Sequence, residues 1–329
     1  MNLFYHVYCS GILGVETNVS DFRWVYGSVA PAVSYEEYDK CKVKFRVYVK
    51  PEKQLNSMKS IDKRFQAFAW NDEDETLYYR RKFFRFIDVG YNIKIEKDTV
   101  YAEIGENYYR FIKNRMMNLH GVYYLLSDIA NIVLLSNGFL TMYASAVHNV
   151  TENRGIVCFG APNTGKTFTA TKLCEFQNYY LVGEDIIISD GRKIYACTWT
   201  TSYRKTSDKG SDSVGSGKRI NMVGSFKSCE SCGLTDVALL SLGKEKTNLC
   251  KEDILSKVCI VNGYLFNYCS SPVVKVFSFF DYKFSLSWQE KAEKMLKDIL
   301  EQCNCCLIQC ETPFEFTDKI RYELLGEKI

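Results

Sequence analysis

Residues 155–167 read Gly-Ile-Val-Cys-Phe-Gly-Ala-Pro-Asn-Thr-Gly-Lys-Thr, an apolar run that leads into a glycine-containing loop. The last eight of these residues, 160–167, match the pattern Gly-x-x-x-x-Gly-Lys-Thr of a phosphate-binding loop. In that pattern the glycines permit a tight turn whose backbone N–H groups face phosphate oxygens. The lysine reaches the β- and γ-phosphates, and the threonine hydroxyl binds Mg²⁺. The stretch therefore predicts a strand, a phosphate-binding loop and then a helix.

The loop predicts ATP and Mg²⁺ as cofactors. The residues expected to bind the nucleotide are Gly160, Ala161, Pro162, Asn163, Thr164, Gly165, Lys166, Thr167 and Phe168. Residues 168–175 are predicted to be helical, and the dipole at the start of that helix would face the same anion. Lys166 is also a candidate catalytic residue, and Thr167 is a candidate Mg²⁺ ligand.

The overall charge and the apolar stretches exclude several classes of partner. The 329-residue chain carries 42 Lys and Arg against 39 Asp and Glu, a formal net charge of +3. A balance this even predicts no nucleic-acid partner and no acidic membrane surface. The longest apolar stretch, 129–135, is too short to span a bilayer, and the first residues lack a signal-peptide pattern. The sequence therefore predicts a cytoplasmic protein, with homo-oligomerisation left open.

The 14 cysteines are expected to be reduced thiols that pack as small apolar side chains. Two clusters allow another interpretation, because Cys229 and Cys232 have half-site spacing and more cysteines occupy 303–310. A zinc site joining the two clusters is the alternative. However, residues 305–310 are typical of a buried strand, which favours thiols inside a core.

The chain is expected to divide near residue 115 into two domains. Residues 1–115 contain short segments rich in aromatic and β-branched residues, at 44–49, 65–70 and 76–86, which predict antiparallel strands. This mainly β domain is a candidate for substrate or partner recognition. Arg80, Arg81, Lys82 and Arg85 among its aromatics could form a single-strand nucleic-acid face, but the modest overall charge favours an ordinary solvated strand face.

The second domain, 116–329, begins with a helix predicted over 119–136. Asn137-Gly138 is a strong helix stop, and the helix is apolar on nearly all sides, which predicts burial. Residues 139–148 are predicted to form one strand, joined by a short polar turn to the strand before the phosphate loop. The two strands would form a hairpin, which is unusual beside a parallel nucleotide-binding core.

Two acidic residues follow the loop at short range. Residues 179–182 predict a strand, and Glu184 and Asp185 come directly after it, 18 and 19 residues beyond Lys166. Asp190-Gly191 then predicts a tight hairpin between 186–189 and 193–199. A mixed sheet follows from these elements, so a conventional parallel P-loop ATPase becomes the weaker alternative.

The order of these motifs resembles a known family. Tyr-Ala-Ser-Ala-Val at 143–147, the loop at 160–167 and Leu-Val-Gly-Glu-Asp at 181–185 are similar to the catalytic domain of HPr serine kinase/phosphorylase. That family shares its core with the phosphoenolpyruvate carboxykinases, and the resemblance is clearest over 138–200. It implies an α/β (α+β) fold class: a mixed-sheet, HPr kinase-like domain at 116–329 behind the mainly β domain at 1–115.

The resemblance also implies an activity. The loop would hold a triphosphate with Thr167 on Mg²⁺, and the acidic pair of the family maps onto Glu184 and Asp185. One acid would help to organise Mg²⁺, and the other would take the proton from the attacking hydroxyl, with Asp185 favoured as the base. The protein is thus expected to be an ATP- and Mg²⁺-dependent kinase whose acceptor is a Ser or Thr hydroxyl of a peptide or protein.

Several departures point to a divergent relative. Tyr143 stands where the family commonly has a histidine, Glu184 replaces the first aspartate, and the Glu-x-Arg-Gly-x-Gly signature is absent. The polar stretch 200–219 could replace that signature or be a surface loop. Its candidate phosphate-binding cations are Arg204, Lys205, Lys218 and Arg219. Two alternatives remain open: a kinase for the hydroxyl of a sugar or amino acid, and a nucleotide-binding regulatory protein or ATPase without phosphotransfer.

Overall fold

The chain forms two compact units in a computed structural model. The structure describes residues 2–23, 32–55, 61–83, 85–114, 124–197, 202–205, 218–221, 226–244, 249–267, 272–280 and 287–327. The first unit comprises Met1–Thr141 and Tyr264–Met295, and the second comprises Met142–Gly263 and Leu296–Ile329. The expected boundary near residue 115 lies outside the described residues.

The first unit is built on a nine-stranded sheet with the order β3-β1-β2-β4-β9-β8-β7-β6-β5. Its strands are β1 (Phe4–Tyr8), β2 (Leu13–Thr17), β3 (Ala32–Val33), β4 (Val43–Lys50), β5 (Lys63–Phe65), β6 (Phe68–Asn71), β7 (Thr76–Phe83), β8 (Ile87–Glu96) and β9 (Thr99–Gly105). β4 alternates buried and partly exposed residues, which places one side of the strand in the core.

Three strand predictions in this unit need correction. β4 is parallel to both β2 and β9, whereas antiparallel pairing was expected. The segment 65–70 is two strands, because Gln66 adopts a positive φ of 52° and turns the chain between β5 and β6. β7 ends at Phe83 rather than at residue 86, and Arg85 has a φ of 67° in the turn that follows.

The basic residues of β7 are either bonded within the sheet or exposed to solvent. The Arg80 guanidinium donates to the carbonyl oxygens of Tyr79 and Tyr91, at 2.7 and 2.9 Å, and to Asn92 Oδ1 at 2.6 Å. Arg81 and Lys82 are exposed. Arg80 is thus committed to bonds within the sheet.

The helices are α1 (Tyr35–Asp39), α2 (Glu106–Asn114), α3 (Leu125–Ser136), α4 (Lys166–Leu173), α5 (Lys251–Asn267), α6 (Val273–Phe280), α7 (Ser287–Gln302) and α8 (Phe316–Lys319). α3 is buried at every position except its last, and it stops before Asn137-Gly138, as predicted. Its expected start at residue 119 lies outside the described residues. In the described ranges, no helix combines the length and apolar character that crossing a membrane requires.

The second unit contains the predicted phosphate loop, residues 160–167. Its strands are β11 (Ala144–Asn149), β12 (Arg154–Gly160), β13 (Tyr179–Gly183), β14 (Ile187–Ser189), β15 (Lys193–Ala196), β16 (Ser202–Lys205), β17 (Lys218–Asn221), β18 (Ser231–Gly233), β19 (Asp236–Leu242) and β20 (Asn304–Cys310), and β10 (Leu140–Met142) precedes them. The central sheet has the order β13-β11-β12-β19-β20. β11 is antiparallel to β12 and β13, whereas β12, β19 and β20 run parallel. The predicted hairpin and mixed sheet are confirmed.

The predicted strand over 139–148 is interrupted at Tyr143. The Tyr143 backbone N–H donates to Asn262 Oδ1 of α5, at 2.8 Å, so its bond goes to a side chain. β10 therefore ends before this residue and β11 begins after it. The hairpin at Asp190-Gly191 has the expected form, and Asp190 Oδ1 accepts from the backbone N–H groups of Arg192 and Lys193.

The polar stretch 200–219 is described only at its two ends. These ends pair as the antiparallel strands β16 and β17, and residues 206–217 lie outside the described residues. The side chains of its four candidate cations are outside them as well.

The second cysteine cluster lies partly on a strand of the central sheet. Residues 305–310 belong to β20, as expected of a core strand. Among the described residues, no group of three or more His, Cys, Asp or Glu side chains could hold a metal ion. Burial raises the pKa of Cys158 and Cys306 to about 12, which keeps those thiols protonated.

A buried ion pair ties the starts of three parallel strands together. Asp236 of β19 is 1% exposed and accepts from Arg154 Nε of β12 at 2.8 Å, with Arg154 Nη2 on its other oxygen. Thr235 Oγ1 donates to the same carboxylate at 2.6 Å, and Asn304 Nδ2 donates to it at 3.3 Å. The carboxylate is therefore satisfied by neighbours on β12 and β20 and by Thr235, which directly precedes β19.

Candidate functional site

The phosphate loop and the acidic pair lie at the same edge of the central sheet. β12 and β13 are both antiparallel to β11 and hence parallel to each other, so their carboxyl ends meet at one edge. β12 ends at Gly160, where the loop begins, and β13 ends at Gly183, just before Glu184 and Asp185. The topology thus brings together two motifs that are separate in the sequence.

The loop is a tight turn held by its own bonds. Thr164 Oγ1 donates to the Ala161 carbonyl at 2.7 Å, and Thr169 Oγ1 donates to the Gly165 carbonyl at 2.9 Å. Asn163 and Gly165 have positive φ angles of 65° and 107°. Residues 161–163 are exposed at its tip, and α4 begins at Lys166. The start of an eight-residue helix therefore points at this turn.

Gly165 has both an unusual conformation and a close neighbour. A Cβ atom added there would lie 2.8 Å from Pro313 Cβ, in addition to the strain of a φ of +107°. We expect Gly165→Ala to lower the free energy of unfolding by more than the roughly 1–2 kcal/mol of the conformational strain alone. Urea denaturation would measure this change.

Gly191 provides the matched control. It has a comparable φ of +94°, but an added Cβ would have nothing within 4 Å. Gly191→Ala should therefore show the conformational cost without the clash. Equal losses for the two variants would contradict the contact between the loop and Pro313.

The Lys166 side chain packs against the backbone of the loop to which it belongs. Its side chain is 4% exposed, and Nζ donates to the Gly160 carbonyl at 2.9 Å and to the Ala161 carbonyl at 3.3 Å. The same ammonium lies 4.2 Å from the centre of the Tyr143 ring, within cation–π distance. Burial lowers the pKa of Lys166 to about 8, and the negative charge of Asp185 opposes this effect. The ammonium is thus held by two backbone carbonyls and an aromatic ring.

This lowered pKa predicts a pH dependence for the nucleotide binding that the sequence pattern predicts. In the free protein, Lys166 loses its charge as the pH rises through about 8. A bound triphosphate favours the ammonium, so binding above that pH must take up a proton. We expect the Kd for Mg²⁺-ATP to increase roughly tenfold per pH unit between about pH 8.5 and 10. Calorimetry in two buffers of different ionisation enthalpy would measure the uptake.

Lys166→Arg is the control, because a guanidinium keeps its charge over this whole range. Its Kd should be higher but nearly constant with pH. The nucleotide phosphates themselves titrate near pH 6, well below the range tested. A wild-type Kd that is constant from pH 7 to 10 would exclude Lys166 as the titrating phosphate ligand.

The two acidic residues differ in their surroundings. Asp185 is half-buried, with a positive φ of 59°, and Glu184 is only 1% exposed. Burial raises the pKa of Asp185 above its ordinary value, and the nearby Lys166 charge opposes this. Thr167 is half-buried in the first turn of α4. Asp185 is therefore the acid whose charge interacts with the loop lysine.

Sequence reasoning missed two groups beside the loop. Asn262 of α5 fixes the Tyr143 backbone, and Tyr143 covers Lys166. Pro313 contacts Gly165, although 148 residues separate them. His148, the histidine nearest to Tyr143 in the sequence, lies at the end of β11 that is away from the loop. There its Nε2 is 3.2 Å from Asn153 Oδ1. The sequence signal for this region is Tyr143, which stands where the resembled family commonly has a histidine.

Comparisons with known proteins found a likeness to solved structures but none to a protein family or a curated protein. No protein-family model matches the chain, and no curated protein matches it. The solved structure of the Hpr(Ser) kinase/phosphatase from Coxiella burnetii is 16% identical and covers 33% of this chain and 69% of its own, with a TM-score of 0.24. A TM-score this low supports no conclusion about the fold or the activity of this chain.

Proposed function

We propose that the protein is an ATP- and Mg²⁺-dependent phosphotransferase that transfers the γ-phosphoryl group to a hydroxyl. One observation carries the proposal: a phosphate loop and an acid with a raised pKa lie at one sheet edge, and that acid acts electrostatically on the loop lysine. Phosphoryl transfer requires a cradle for the phosphates and an oriented nucleophile more than covalent chemistry. This edge offers residues suited to both.

The residues of the edge fit the two cofactors. Gly160 packs closely at the start of the loop, since an added Cβ would lie 3.2 Å from Thr164 Cβ and 3.3 Å from the Leu240 carbonyl oxygen. The start of α4 adds a favourable dipole for an anion. Thr167, Glu184 and Asp185 supply the oxygen ligands that Mg²⁺ prefers. When bound, Mg²⁺ would neutralise charge on the β- and γ-phosphates.

The chain's own groups would then share the chemical work. Lys166 would exchange its bonds to the Gly160 and Ala161 carbonyls for bonds to phosphate oxygens. Asp185 would accept the proton of the acceptor hydroxyl, and its raised pKa brings it closer to the range in which a general base is effective. The burial of Lys166 excludes water from its ammonium, which strengthens its interaction with a phosphate.

The acceptor that we propose is a Ser or Thr hydroxyl of a peptide or protein. The support is the exposure of the loop tip at residues 161–163, at the same sheet edge as the half-buried Asp185. An exposed tip suits an extended chain better than a small metabolite enclosed on all sides. The strand-rich segment 1–115 remains the candidate for recognising that partner.

The test is transfer of label from γ-labelled ATP in the presence of Mg²⁺ and a library of Ser- and Thr-containing peptides and proteins. We expect labelled acceptor with the wild type and strong loss with Lys166→Met. Lys193→Met is the matched control, since Lys193 lies in the same unit but is exposed at the start of β15. Equal transfer by both variants would refute the proposal. ATP binding without transfer to any acceptor would favour a regulatory nucleotide-binding protein.

A further inference from the structure

The segment after β20 reaches the phosphate loop through the sheet topology. Within the parallel strands, Gly160 of β12 pairs with Leu240, and Leu242 of β19 pairs with Cys310 of β20. β20 therefore ends at the same edge at which the loop begins. Residues 311–316 continue from this point, and Pro313 packs against Gly165 of the loop.

This segment is held in place at both ends. Glu315 Oε1 accepts from the Thr312 hydroxyl at 2.7 Å and from the Thr312 backbone N–H at 3.1 Å, which closes the 3₁₀ turn Pro313–Glu315. Phe316 is completely buried in the core that also contains Leu173 of α4. The turn between these two anchors has little freedom to move away from the loop.

Within this fixed turn, Phe314 presents its ring at the surface. The residue is 43% exposed, and its ring meets Phe168 of α4 edge to face, with centroids 5.0 Å apart at 82°. Lys172 Nζ lies 5.9 Å from the centre of the Phe168 ring. A single exposed apolar residue is ordinary on a protein surface. Here the exposed ring is anchored against an anion-binding loop and joined to a second ring, which points to a ligand with an aromatic part.

We propose that Phe314, with Phe168, forms the stacking platform for the base of the nucleotide whose phosphates bind the loop. This inference rests on the proposed function. Lys166 and Thr167 are suited to the β- and γ-phosphates and the associated Mg²⁺, so the ribose and base must extend from the α-phosphate end. Phe168 follows Thr167 directly, and Phe314 lies beside it. Base stacking on an aromatic ring is favourable for any nucleobase.

Binding of two probes tests the platform: Mg²⁺-ATP, and Mg²⁺-tripolyphosphate, which has the phosphates without ribose and base. We expect Phe314→Ala to weaken ATP binding roughly 5- to 100-fold and to leave tripolyphosphate binding within about twofold. Phe314→Tyr keeps the ring and should restore ATP affinity. Because Phe314 is substantially exposed, the alanine variant should fold, which far-UV circular dichroism and the Tm would verify.

The outcomes separate this inference from the function on which it rests. If wild type binds both probes and Phe314→Ala changes neither Kd, or weakens both equally, the platform is refuted while the phosphate loop stands. If wild type binds neither probe, the proposed function fails and the platform falls with it. A selective loss for ATP that the tyrosine variant restores supports both.

Discussion

Replacing Asp185 with asparagine is expected to lower kcat for phosphoryl transfer by roughly 10²- to 10⁴-fold, the usual contribution of a general base. The substitution removes the charge but preserves the shape of the side chain. Asparagine also tolerates the positive φ of 59° at this position, so the backbone should be undisturbed. An alanine there would add conformational strain to the chemical effect. Single-turnover transfer of labelled phosphate would measure the rate, and calorimetry would measure ATP binding separately.

Asp190→Asn is the control for a carboxylate outside the site. Asp190 lies in the neighbouring hairpin and accepts from Tyr195 Oη at 2.7 Å, which together with backbone N–H groups lowers its pKa despite partial burial. Its replacement should cost some stability and leave kcat nearly unchanged. If Asp185→Asn retained the wild-type rate while Glu184→Gln lost it, the roles of base and metal ligand would have to be exchanged.

Removing Arg154 is expected to cost the second unit about 3 kcal/mol of stability, because Arg154→Ala would leave Asp236 buried without its cation. Thr235 and Asn304 would still donate to that carboxylate but would not neutralise it. Hydrogen exchange of the β12 and β19 amides reports opening of this unit, and their protection should fall roughly 100-fold.

Glu152, a second acid near Arg154, provides the control for this prediction. Glu152 is 3.5 Å from Arg154 Nη1 and more than one third exposed, so Glu152→Ala should change stability by less than about 0.5 kcal/mol. The double substitution Arg154→Met and Asp236→Leu should cost less than Arg154→Ala, since it leaves no buried charge. A double variant as unstable as the single one would show that packing, rather than charge, dominates at this position.

The sequence predicts most local elements of the site, because each has a short-range cause. Two glycines and a lysine at fixed spacing indicate the loop, and Asp190-Gly191 indicates a hairpin by its turn chemistry. The break at Tyr143 could not be predicted, because an Asn262 side chain 119 residues away causes it. Such long-range capture of a backbone N–H leaves no trace in local periodicity.

The pairing of the parallel strands could not be predicted from the sequence either. Residues 305–310 are identifiable as a core strand, but their apolar pattern does not specify a neighbour. Only the pairing of β20 with β19 places Phe314 beside Phe168. In the first unit the same limit applies to β4, whose alternation fits a strand of either direction. Local chemistry indicates that a strand forms, whereas its partner depends on the whole chain.

Because β11 lies between β12 and β13, it determines the distance between those two strands. Adjacent strands lie about 4.8 Å apart, so the strand that carries the phosphate loop and the strand that carries Asp185 are separated by about 10 Å of backbone. The main-chain hydrogen bonds of β11 to these two neighbours fix that separation. Side chains around the edge could change to suit a different acceptor without altering that separation. The gap between the phosphate donor and the proton acceptor would then be a property of the sheet, and only the choice of acceptor would depend on side chains.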